Sequence, residues 1–182
     1  MNKQSLGHGF TQLGLGLTAA AVLPAYPTEA AESVVLKYGF IRESVSVPEL
    51  STFVETGELS SSLEAYLKMA NTEPEELRSV LTREIEIEPV PLSRGLNTLP
   101  GELLLDQVSK VIHTPTQSAS QQSLRAALVS SALPDGNITL LEVLENYPTE
   151  DVHVEGDRLV ETYTQLDKFL GILADAGVEL KL

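Results

Sequence analysis

Cysteine and tryptophan are both missing from the 182 residues, and aromatics together make up only 5%. Without Cys there is no disulfide, no thiolate nucleophile and no thiolate-ligated metal site. With so few aromatics, a core must be assembled from Leu, Val, Ile and Ala, and the 42% hydrophobic content is enough for one domain. Basic residues are the next shortage: 12 Lys and Arg stand against 26 Asp and Glu, a formal charge of −14. Phosphates and anionic headgroups are bound by clustered cations, so this balance argues against nucleic acid and anionic membrane as partners. Histidine is scarcer still, at three residues: His8, His113 and His153.

Reaction motifs are missing too. There is no G-x-S-x-G nucleophile elbow, no phosphate-binding G-x-x-x-x-G-K-[ST] and no H-E-x-x-H. The glycines at 14–16 have no strand–turn–helix context. Carboxylates are abundant, as in EPEE (73–76) and EIEIE (84–88). A catalytic pair needs one acid buried beside one that stays ionised, whereas acids this dense read as a solvated face. No catalytic, cofactor-binding or metal-ligating residue is assigned, and no cofactor is expected.

What is present begins at the N-terminus. Lys3 precedes an apolar segment, LGLGLTAAAVL (13–23), and Thr28 and Ala30 then occupy the −3 and −1 positions of a cleavage site. This is the order of a secretory signal peptide, and the apolar segment is too short to span a bilayer. Residues 1–30 are therefore expected to be a signal peptide and 32–182 a single helical domain. The chain is then exported, to periplasm, thylakoid lumen or the extracellular space, with no stable membrane insertion. Removing 1–30 takes away Lys3 and Glu29 and leaves the charge at −14.

SVVLKYGFIRESVSV (33–47) reads as two short strands about a Gly39 turn, with β-branched residues on both arms. Helix starts of one kind follow. Ser46/Glu49, Ser61/Glu64, Thr72/Glu75 and Thr139/Glu142 each fit the S/T-x-x-E capping box, in which hydroxyl and glutamate satisfy each other's backbone amides. Helices are expected at 48–56, 62–70, 74–83, 101–113, 119–132, 140–147 and 158–176. Residues 84–92 carry two prolines and read as extended connection or edge strand. EDVHV (150–154) reads as a strand with Val152 and Val154 on one face and His153 facing solvent. The fold class is mainly α (α+β), a bundle of about six or seven helices with a small sheet from the hairpin and the later strand.

Two stretches look like sites and have simpler readings. Asp135, Gly136, Asn137, Ile138 and Glu142 match positions 5, 6, 7, 8 and 12 of an EF-hand loop, but positions 1 and 3 are Ser131 and Leu133. Without oxygen ligands there the calcium shell is incomplete, and a Pro-Asp-Gly turn feeding the Thr139/Glu142 box accounts for the same residues. The block LNTLPGELLLDQVSKVIHTP (96–115) reads as the central helix. Pro100 pre-sets its start, Gly101 permits a close turn, and Leu104, Val108, Val111 and Ile112 form a stripe that Leu103 and Leu105 widen. His113 then caps the last turn before Pro115.

Four blocks taken together carry a resemblance: 36–67, 81–115, 122–128 and 135–159, with the details SVPEL, ETGE, LNTLPGE, LRAAL and NYP followed by a strand and GDRL. Over about 34–165 the chain resembles the helical domain of unknown function that precedes the catalytic domain in cyanobacterial α/β-hydrolase-like proteins. The resemblance implies a domain behind an export signal. Those relatives carry their triad in the following domain, which would begin where this chain ends, so no catalytic residue is carried onto any position here. The function expected is a non-catalytic interaction or regulatory module associated with α/β-hydrolase-type proteins, its partner a protein such as a separate hydrolase domain. The alternatives are a hydrolase-family member or truncated hydrolase with esterase-type activity, and a carrier of a small apolar ligand.

Overall fold

The hairpin forms where the β-branched arms place it. In the computed structural model, which describes residues 30–158, β1 (Ser33–Tyr38) pairs antiparallel with β2 (Ile41–Ser46). Gly39 turns the chain at φ +58°, a conformation that costs glycine little. β1 also pairs in parallel with β6 (Asp151–Glu155), and β6 takes the two-residue β4 (Ile112–His113) antiparallel on its far side. The sheet order is thus β2-β1-β6-β4. Alternation along each strand gives this sheet two unlike faces. Val34, Val45, Val152, Val154 and Ile112 are buried on one, while the register sets Lys37 beside Glu155 and His113 beside His153 on the other.

Helices fill the rest. α1 (Val47–Thr56) starts on a complete Ser46/Glu49 capping box and stops at Gly57, φ +78°. α7 (Leu140–Glu145) starts on the complete Thr139/Glu142 box. The other two expected boxes lie one residue out of register. α2 (Ser61–Ala70) is capped by Ser60, whose hydroxyl accepts from Leu63 N–H, so Glu64 is free to pair with Lys68 at 2.7 Å. In α3 (Pro74–Thr82) the proline fixes the first helical position, which makes Glu73 the cap residue and leaves Thr72 outside.

Residues 84–92 are where expectation and structure part. Ile85–Glu86 is a short strand, β3, paired with β5 (Asn137–Ile138), but Pro89–Leu96 is a helix, α4. Its two prolines occupy the first turn, where a missing N–H sacrifices no helical bond. α5 runs Leu99–Val108 and does not continue to 113 as expected. The chain leaves it because Glu155 N–H donates to Val111 carbonyl at 2.9 Å and Ile112–His113 join the sheet, a tertiary pull that overrides the helical period. α6 (Ser120–Ala132) follows, and α7 stops two residues short of the expected 147, with Tyr147 wholly buried beyond it. The helix expected at 158–176 lies outside the described residues apart from Arg158, which ends a 3-10 turn, Gly156–Arg158.

Leu105, Leu96, Leu124, Ala127 and Phe53 centre the core. Gly101 serves this packing and makes no turn: a Cβ there would fall on Gly95 carbonyl oxygen and lie 2.7 Å from Leu96 Cα. Glycine is what lets α5 lie directly on the end of α4. Of the described helices, none is long and apolar enough to cross a membrane.

Candidate functional site

Among the described residues, the polar face of the four-stranded sheet gathers the densest set of chemically capable side chains. Glu155 Oε1 accepts from Lys37 Nζ at 2.7 Å and lies 3.0 Å from His113 Nε2. His113 Nδ1 faces Thr114 carbonyl oxygen at 2.7 Å. A carbonyl and a carboxylate both accept, so the ring satisfies both neighbours only when both its nitrogens carry hydrogen. His113 is 1% exposed and sits on β4, not in the last turn of a helix. That corrects the capping role expected for it, and the cause is the same pull of β6 on Val111–His113.

His153 meets His113 edge to face, ring centroids 5.5 Å apart. It is half-buried, not solvent-facing as expected, and its Nδ1 is buried with no hydrogen-bond partner among the described residues. Burial above all, then the nearby charges of Lys37 and His113, holds its pKa below the ordinary 6.5. The Glu155 carboxyl feels two opposed effects. Burial works to raise it, but the hydrogen bonds from Lys37 and His113 outweigh burial and hold it below 4.5. At the far end of the face Ser33 donates to Asp151, and Thr114 exchanges hydrogen bonds with Ser120 of α6.

This arrangement binds three strands together. Both His113 nitrogens already face acceptors, and Ser120 reaches Thr114 without meeting either histidine. The carboxylate clusters at 73–76 and 84–88 are exposed. The EF-hand-like stretch is a turn: Asp135 Oδ1 accepts from Asn137 N–H at 2.9 Å, Gly136 has φ +78°, and Glu142 accepts from both Thr139 N–H and its hydroxyl. Two shallow depressions of about 320 and 440 Å³ flank α1, bounded by Ser46, Glu49 and Thr52 on one side and Ser51, Glu55 and Glu145 on the other. The expected central helix does bury Leu104 and Leu105, but Leu99 and Leu103 stand exposed at 73% and 61% one turn apart on α5.

The histidine cluster was beyond the reach of the sequence. Its members lie on β1, β4 and β6, forty residues or more apart in pairs such as His113 and Glu155, and β4 carries no strand signal of its own. A family model described as alpha/beta hydrolase of unknown function (DUF1400) matches residues 30–155. Neither the curated proteins nor the solved structures yield a match.

Proposed function

The chain belongs to this family of alpha/beta hydrolases of unknown function, and from that premise we propose that its helical domain is an exported, non-catalytic interaction module. The observation that carries the reading is the placement of His113. The most buried histidine of the described residues has its two ring nitrogens against Thr114 carbonyl and Glu155, which leaves neither nitrogen facing a nucleophile. The match covers an α+β unit whose four-stranded sheet contains one parallel pair, β1 with β6. A doubly wound parallel sheet, on which a nucleophile elbow is built, is a different architecture. Ester turnover tests this directly. Purified chain should hydrolyse a panel of p-nitrophenyl esters no faster than a His113→Gln, His153→Gln double variant, and turnover lost in that variant would overturn the reading.

Export rests on residues 1–30 and agrees with where the first strand starts. Glu32 and Ser33 N–H both donate to Glu150 carbonyl, so cleavage after Ala30 leaves β1 whole. The mature protein recovered from periplasm, thylakoid lumen or medium should begin at Ala31, and one still beginning at Met1 would contradict export. The partner in this reading is a protein, a hydrolase domain in the first instance. The exposed Leu99 and Leu103, one turn apart on α5, are surface side chains suited to meet it. Both depressions are shallow and open and do not enclose a small ligand, so the carrier alternative gains no support.

A further inference from the structure

The two histidines face each other at a sensitive place. β4 is two residues long, and just two register pairs tie it to β6: Ile112 with Val154, and His113 with His153. Through β4 the sheet holds the connection between α5 and α6, and Glu155 N–H reaching Val111 carbonyl closes the same junction. We propose that this histidine pair is a proton-operated catch, in which one proton beyond neutrality holds β4 to β6 and a second releases it.

With one such proton, His113 is an imidazolium donating to Thr114 carbonyl and to Glu155, and His153 is neutral. The charges acting on His153 come from every neighbouring strand: Lys37 of β1, Arg42 of β2, His113 of β4 and Asp151 of β6. Glu155 already receives both Lys37 and His113, and Asp151 already accepts from Ser33. α6, packed on β4, offers the Ser120 hydroxyl to Thr114, and Asp157 of the 3-10 turn is engaged by Gly39 N–H. A second proton on His153 therefore puts two cations edge to face at 5.5 Å, a repulsion that, with Lys37, exceeds the attraction of Asp151. The repulsion acts across the strand pair itself, so the cheapest relief is to part β4 from β6.

Amide hydrogen exchange by NMR on the full chain between pH 7.5 and 5.5, corrected for intrinsic rates, tests the catch. The reporter is Glu155 N–H, which crosses the β4–β6 junction, with the α1 amides as reference. Its protection should fall by up to about tenfold per pH unit as pH drops below the ordinary histidine value of 6.5 towards the lower value His153 holds in the fold, while α1 is unchanged, because one proton is linked to opening. His153→Gln should abolish the dependence. A flat profile in the native chain, or an equal fall in His153→Gln, overturns the proposal. Should that variant fail to fold, the ring resonances of His153 in the native chain decide: a midpoint below 6.5, at the pH where the loss of protection levels off, supports the catch, and a midpoint at or above 6.5 refutes it.

Discussion

The two faces of the four-stranded sheet are made from the same strands and hold by different physics. Val34, Val45, Val152, Val154 and Ile112 on one face are held by burial, a non-directional gain that scales with area. Lys37, His113 and Glu155 on the other are held by a few directional bonds. The first face excludes charge. The second tolerates changes of charge only where a partner remains.

Substitutions should separate the faces cleanly. The largest effect is expected in the apolar core that runs from the valine face into the helices. Gly101→Ala drives a methyl into the Gly95 carbonyl and should leave little folded protein, as judged by circular dichroism and solubility. Leu105→Ala should cost about 2–5 kcal/mol in urea unfolding, because the side chain is fully buried. On the polar face Glu155→Gln removes a charged acceptor from two donors and should cost about 1–3 kcal/mol. If the polar substitution costs more than the Leu105 truncation, the ordering of the two faces is wrong.

The faces should also differ in pH response. His153 takes its proton more readily when unfolded, so its contribution falls as pH drops through its ordinary value of 6.5. Glu155, held low in the fold, contributes fully above 4.5 and loses that contribution as pH falls through its lower folded value. Thermal melts from pH 7.5 to 3.5 should show acid destabilisation in both windows, and Glu155→Gln should remove the lower share. Smallest is the effect on the caps: Thr139→Ala should cost about 1 kcal/mol and leave the pH profile unchanged.

Legibility in the sequence follows the same division. The hairpin, the Ser46 and Thr139 boxes and the Val152/Val154 face were readable because alternation and capping are local. Pro89 and Pro91 misled because proline breaks a helix inside and suits its first turn, and the sequence does not say where the turn starts. Val111 and Ile112 kept the helical period of α5, yet Ile112 joined a strand and the Val111 carbonyl accepts from Glu155 N–H, since β6, some forty residues away, supplies the competing bonds. His113 was misplaced for that reason alone, and His153 for want of its neighbour. The polar cluster is a long-range object.

A double-mutant cycle on His113 and Glu155 addresses the central claim most directly, that the hydrogen bonds of the polar face fasten β4 to β6. His113→Gln, Glu155→Gln and the pair should be compared by urea unfolding at pH 7. The fastener predicts a coupling of about 1 kcal/mol or more between the two sites. Additive losses, with each substitution acting independently of the other, would contradict it.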